Sequence, residues 1–270
     1  MISPDKKKQT VAVCSATGGQ GRTSVTVNLA AFLAARQTKV TILDADLQFG
    51  DLAMALDIDA PVTLADIAEQ SDSTNSISYL NRHPSGLDLI AAPKRPEQAD
   101  MVNNDLLNGV MDELQTVSEV LFVETQAGLT DHTLQAVEKA DRILVVTTPG
   151  MISLKNARLM IETLDALGMK DKVRLVVNQS TAPSAVKAGN IAELTKVSEI
   201  FHLPYDLKNT AQALDTGMPI VISNPKLEYA KAIERMAKKL FVVERSTEKK
   251  VQVRGLFRIK KSKRTRGKQR

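Results

Sequence analysis

The chain has 270 residues, 43% of them apolar and only 3% aromatic, with no Trp and one cysteine. That length is ample for a buried core, and an aliphatic interior suits α/β layers. The lone Cys14 excludes an internal disulfide and reads as a small buried residue of a reducing compartment rather than a catalytic thiol. The net charge of +5 hides a division: residues 245–270 hold twelve Lys/Arg and one acid, leaving 24 basic and 30 acidic residues for positions 1–244. An acidic body with a basic tail calls for two explanations. No apolar stretch reaches membrane-spanning length, and no apolar segment follows the charges of MISPDKKKQT, so a cytoplasmic location is expected.

Taken in chain order, strand-like apolar runs alternate with helix-periodic segments. Thr10–Cys14 reads as a strand, Ser15–Gly21 as a glycine-containing turn, and the residues from Arg22, with Ser24–Ala35 most periodic, as a helix. The strand Val40–Leu43 follows and ends in Asp44 and Asp46. SDSTNSIS (Ser71–Ser78) reads as a surface loop before the strand Leu87–Ala91. Next come the helix Asn104–Val117, the strand Val120–Val123 ending in Glu124, and a helix start at which Asp131 is placed to cap. The strand Ile143–Thr147, the helix Leu154–Leu167 and the strand Val173–Val177, ending in Asn178, complete the next unit. A second loop covers Ser180–Gly189, a short strand Ile200–Leu203 precedes Pro204 and Asp206, and Leu227–Leu240 is helical. Continuous apolar strands separated by helices predict a mostly parallel sheet covered on both faces. The body, residues 1–246, is expected to be one domain, with a charged tail over 247–270.

The turn after the first strand, CSATGGQGRTSVTVNLA over residues 14–30, carries the chemistry. Its glycines let backbone N–H groups point inward, and the helix N-terminus behind them favours an anion. Gly18, Gly19, Gln20, Gly21, Arg22, Thr23 and Ser24 are therefore the phosphate-cradling candidates, with Thr23 where such loops place the hydroxyl that reaches Mg²⁺. A tight strand-to-helix turn also needs glycine. Acids closing two other strands raise the functional reading, because open α/β sheets bind ligands at strand C-termini.

The series TGGQGRTS, DADLQFGD, LIAAPKRPEQAD, VLFVETQAG, VVNQ, LPYD and LDTGMPI resembles the MinD/ParA group of deviant P-loop ATPases. DADLQFGDLAMAL and GLDLIAAPKRPEQAD resemble its CpaE/TadZ branch, which helps localise and assemble Flp-type (Tad) pilus machinery. The similarity spans residues 9–240. It implies a P-loop NTPase fold, ATP or ADP with Mg²⁺, a nucleotide-sandwich homodimer, and attachment to a membrane or nucleoid. Carried over by position, Asp46 matches the acid near the attacking water and Arg22 the loop cation, the two catalytic candidates. Thr23, Asp44 and Glu124 match the metal site. Asn178 matches the adenine-binding asparagine, and Pro204 and Asp206 the loop that closes over the base.

Three positions depart from the family. Thr17 replaces the signature lysine that crosses to the partner's nucleotide, Arg22 replaces the second lysine, and Glu124 replaces an aspartate. A planar guanidinium is not a compact ammonium, and octahedral Mg²⁺ is exacting about distance. The expectation is a nucleotide-binding localisation or assembly factor with slow or absent hydrolysis. The alternatives are an active ATPase positioning a chromosome, septum or flagellum, and a nucleotide-free membrane or DNA tether.

RGLFRIKKSKRTRGKQR (residues 254–270) sets Leu256, Phe257 and Ile259 among cations. Three readings stand: a solvated charge run, an anchor on the anionic inner face of the cell membrane, or a nucleic-acid contact with little stacking support. His83, His132 and His202 have no metal-ligand spacing, and Met160 and Met236 read as packing.

Overall fold

The computed structural model describes residues 8–70 and 73–241, so the expectations for the basic tail lie outside the described residues. The strands are β1 (Gln9–Cys14), β2 (Val40–Ala45), β3 (Asn81–Arg82), β4 (Asp88–Ile90), β5 (Val120–Thr125), β6 (Arg142–Thr147), β7 (Val173–Val177) and β8 (Ile200–His202). They form one eight-stranded sheet in the order β3-β4-β2-β5-β1-β6-β7-β8. Every pairing is parallel except β3 with β4. The central strands β1, β2 and β5 are covered on both faces, which is why they read as unbroken apolar runs.

The α-helices among the described residues are α1 (Arg22–Ala34), α2 (Leu52–Ala55), α3 (Leu64–Gln70), α4 (Asn104–Val117), α5 (Asp131–Lys139), α6 (Met151–Ala166), α7 (Ile191–Thr195), α8 (Leu207–Asp215), α9 (Ile220–Ser223) and α10 (Glu228–Leu240). One layer holds α1, α2, α8, α9 and α10 against Val11, Val13, Ile42 and Phe122. The opposite layer holds α3 to α7 in two adjoining apolar clusters, one centred on Cys14, Val145 and Leu175, the other on Leu43, Ile90 and Val123. Helix α1 is buried from Ser24 to Ala34 because it lies between the sheet and α10. An apolar surface around its whole circumference therefore has a partner everywhere. The described chain ends where Phe241 meets Phe122 edge-on, with ring centres 5.9 Å apart.

Two local expectations need correction. Ser71–Ser78 is not simply a surface loop: Ser73–Tyr79 forms 3₁₀ turns kinked at Asn75, and Ser76 is buried with its amide donating to Glu113 at 2.6 Å. Helix α5 is capped by Thr130, whose hydroxyl accepts from the Thr133 amide at 3.3 Å; Asp131 lies in the first turn. The fold also contains β3, a two-residue strand too short to show periodicity. Met160 and Met236 are buried as packing residues.

Candidate functional site

The loop Ser15–Gly21 leaves the C-terminal end of β1, at the centre of the sheet, and delivers the chain into α1. Gly19 and Gly21 hold left-handed φ angles of 73° and 87°. At Gly21 a Cβ would also collide with the Asn178 amide nitrogen, so glycine is required twice over. Gly21 is the N-cap of α1 and supplies no capping side chain. The first-turn N–H groups of this thirteen-residue helix are thus left for an anion. A cavity of about 540 Å³ opens there, lined by Gly19 to Ser24 on one wall and by Asp51, Met54, Ala55, Leu214 and Asp215 on the other.

Arg22 does not extend into free space. Its Nη2 donates to Asp46 Oδ2 at 2.9 Å and its Nη1 to Ser15 Oγ at 2.6 Å, with the two ion-pair side chains 11% and 17% exposed. Ser15 passes the constraint on by donating to the Thr17 carbonyl at 2.7 Å. The Arg22 Nε–H is buried without a hydrogen-bond partner, so the guanidinium retains a donor for a further acceptor.

Behind the cation lies a buried acidic pair. Thr23 Oγ1 donates to Glu124 Oε1 at 2.7 Å, while Glu124 Oε2 is buried and unpaired. Burial pushes the Glu124 carboxyl above its ordinary range, against the hydrogen bond from Thr23 and the charge of Arg22. Asp44 is pushed well above its range by burial and then by the Glu124 charge. The backbone amides of Asp46 and Leu52 donate to Asp44, each at 3.2 Å. A Cβ at Gly50 would lie 2.6 Å from Asp44 Oδ2, so this loop stays close only because Gly50 has none. Two buried carboxyls with raised pKa values and an orphaned oxygen form an environment that a divalent cation would relieve. Among the described residues no group of three or more His, Cys, Asp or Glu could hold a metal alone. A cation at Thr23, Asp44 and Glu124 would share its shell with phosphate oxygens and water, as Mg²⁺ commonly does.

The remaining sequence candidates divide. Ser24 is buried in the first turn of α1. Asn178 packs behind the loop, donating from Nδ2 to the Gln20 carbonyl at 3.0 Å, while its Oδ1 accepts from the Gln179 amide at 3.0 Å. The Gln20 side chain is hydrogen-bonded to Thr17, Gly18 and Thr148. Asp206 caps α8, accepting from the Asn209 amide at 3.3 Å, with Pro204 just before it at the end of β8. Sequence reasoning missed Ser15, Thr148 and the wall formed by Met54, Leu214 and Asp215. The first two are ordinary hydroxyl residues, and the wall is assembled across more than 150 residues of chain. Of the histidines, His83 is buried against the Gly217 carbonyl at 3.0 Å, His132 pairs with the Val102 carbonyl at 2.8 Å, and His202 is exposed on the edge strand β8.

A strand, a glycine loop, an uncapped helix N-terminus and acids on two neighbouring strands supply the donors and charges that a phosphate and a cation would need. Comparison with known proteins agrees: the family model described as ParA, NUBPL iron-transfer P-loop NTPase, matches residues 6–241. The chain belongs to the ParA/MinD family of P-loop NTPases. It is 31% identical over 234 residues to an uncharacterized ATP-binding protein of Methanocaldococcus jannaschii, covering 85% of this chain and 86% of that one. It is 26% identical over 238 residues to the septum site-determining protein MinD of Thermotoga maritima, covering 85% and 87%. The MinD structure from Pyrococcus horikoshii complexed with Mg-ADP superposes with a TM-score of 0.77 at 20% identity, covering 86% of this chain and 96% of that one. The only cysteine of this chain, Cys14, is fully buried, with a thiol pushed up to about 12 by that burial.

Proposed function

We propose that this ParA/MinD-family protein binds ATP and ADP with Mg²⁺ and hydrolyses ATP slowly or not at all, acting as a localisation or assembly factor for a pilus or secretion system of the CpaE/TadZ type. The observation that carries the reading is the state of the loop cation: Arg22 is tied to Asp46 and Ser15, and Thr17 stands where the family's signature lysine would be. Phosphoryl transfer is chiefly positioning plus charge neutralisation, and loss of a finger-type cation in other P-loop enzymes costs about 10³–10⁵ in rate. Binding draws on different groups. The loop amides and α1 would receive the phosphates, Thr23, Asp44 and Glu124 would hold Mg²⁺, and Asn178, Pro204 and Asp206 would serve the base. Bound Mg²⁺ would supply neutralisation of phosphate charge, and Asp46, if released by Arg22, would be free to orient a water molecule.

The protein works as a homodimer across the C-terminal edge of the sheet, where Phe49, Met151 and Ile152 are exposed apolar residues in or just after strand-end loops. Residues 1–246 form the NTPase domain and 247–270 a basic tail that meets anionic lipid on the inner face of the membrane. No helix of the described residues is long and apolar enough to cross a membrane. A second reading, an active positioning ATPase, is favoured by the similarity to septum site-determining MinD. Turnover separates the two. The account expects negligible ATP hydrolysis by the purified protein and a gain in the Thr17→Lys/Arg22→Lys double variant. Turnover at the rate of lysine-bearing relatives would establish the second reading instead.

A further inference from the structure

We propose that Gln20 is a positioning residue that locks the phosphate loop to the end of β6 and the first turn of α6, so that a change in the loop is passed to that turn. The inference rests on the nucleotide reading above. Gln20 lies within the glycine loop yet is 9% exposed, and its terminal amide makes four contacts. Its Nε2 donates to Thr17 Oγ1 at 3.0 Å and to the Gly18 carbonyl at 3.1 Å. Its Oε1 accepts from the Thr148 amide at 2.9 Å and the Thr148 hydroxyl at 3.0 Å. Both hydrogens and both lone pairs of the amide are used inside the protein, so none of its capacity is left for a ligand.

Thr148 directly follows β6, and its hydroxyl lies 3.1 Å from Ser153 Oγ in the first turn of α6. That turn carries Met151 and Ile152, 57% and 76% exposed. On the other side, the Gln20 carbonyl accepts from Asn178 at the end of β7. One residue thus ties the loop after β1 to the ends of β6 and β7. The Gln20–Thr17 bond also gives the missing signature lysine a structural counterpart. The Thr17 hydroxyl is an acceptor within the clamp, a place a lysine ammonium cannot fill because it only donates. When phosphate draws the Gly18 and Gly19 amides inward, the Gly18 carbonyl and the Thr17 hydroxyl move with them. Gln20 carries that displacement to Thr148 and Ser153 through contiguous hydrogen bonds.

The test is residue-resolved amide exchange on the full chain, with and without Mg-ATP, in wild type, Gln20→Leu and Gln20→Glu. Gln20→Leu should speed exchange at Thr148 about tenfold, the effect of one lost hydrogen bond, and leave Val11 to Val13 in β1 unchanged. Mg-ATP should slow exchange over residues 151–154 in wild type and not in Gln20→Leu. Gln20→Glu, which keeps the acceptor for Thr148, should retain part of the response. Thr148→Ala, which removes one hydroxyl and leaves the loop sequence intact, should weaken the response in the same direction. Unchanged exchange at Thr148, or an ATP response that survives in Gln20→Leu, would overturn the proposal. Absence of ATP binding by wild type would instead remove the nucleotide reading, and Thr148 exchange without nucleotide would still decide whether the clamp exists.

Discussion

Asp46→Asn is the most informative single substitution, because the Arg22–Asp46 pair acts on stability and on ligand affinity in opposite directions. The pair is 2.9 Å long between side chains that are 11% and 17% exposed. Two unit charges about 4 Å apart at an effective dielectric near 20 attract by ~4 kcal/mol. Desolvation of both ions and residual solvent screening reduce the net contribution to about 1–3 kcal/mol. Removing the carboxylate charge leaves Arg22 buried with Ser15 as its remaining partner, so the ligand-free protein should melt roughly 5 °C lower, at about 2–4 °C per kcal/mol for a chain of this size. The same carboxylate would compete with a bound phosphate for Arg22 and repel it. Its neutralisation should therefore tighten ATP binding by about tenfold, equivalent to ~1.4 kcal/mol. The assay is calorimetric titration with ATP in EDTA, so that any role of Asp46 near a metal is absent, together with thermal unfolding of the same samples. Unchanged or weaker ATP binding, or a higher melting temperature, would refute the reasoning.

Two further outcomes follow from buried groups outside the loop. Burial lowers the His83 pKa below its ordinary 6.5, with the Gly217 carbonyl and Asp57 opposing that shift. The Ser85 amide donates to Nδ1 at 3.1 Å, which leaves Nε2–H to donate to Gly217 and makes a second ring proton unwelcome. The folded state therefore binds fewer protons at this site than the unfolded one, and the stabilisation is present above pH 6.5 and lost as pH falls below it. Thermal unfolding across pH 5 to 7.5 should show that acid loss in wild type and a shallower one in His83→Asn; equal slopes would remove His83 as its source. Cys14, fully buried with its thiol at about 12, should resist an aromatic disulfide reagent at pH 8 and give one reactive thiol per chain in denaturant. Rapid labelling of the native protein would show that β1 opens far more readily than its burial implies.

The sequence carried the frame of this molecule because its strands are buried on both faces. Runs such as Val11–Cys14 and Val120–Val123 have no polar alternation to confuse with anything else, and Asp44, Glu124 and Asn178 stand out at or just beyond their ends. Helices with a strong apolar stripe, such as α4 and α10, were equally legible. Two short elements were not: β3 and α2 contain two and four residues, and their positions depend on what they pack against. The cap of α5 fell to Thr130 rather than Asp131 because either residue type suits the role and only the backbone path decides between them.

At the site, the residue types were visible and their partners were not. Nothing in TGGQGRTS discloses that Arg22 reaches back to Ser15 and across to Asp46, since an arginine in that position can equally extend toward a phosphate. Gln20 reads as a loop residue beside a ligand, yet its partner Thr148 is 128 residues away. The cavity wall of Met54, Leu214 and Asp215 is brought to the loop by α2 and α8, a contact between segments with no shared pattern. Local chemistry survives in a single sequence; pairings made by topology do not.

The central claim is that this altered loop is still a working nucleotide site. It is tested most directly by titrating the purified wild-type protein with ATP and with ADP in the presence of Mg²⁺. The account predicts saturable binding of both, at about one nucleotide per chain, through the loop amides, α1 and the Thr23–Glu124 side of the site. No binding of either nucleotide at millimolar concentration would contradict it.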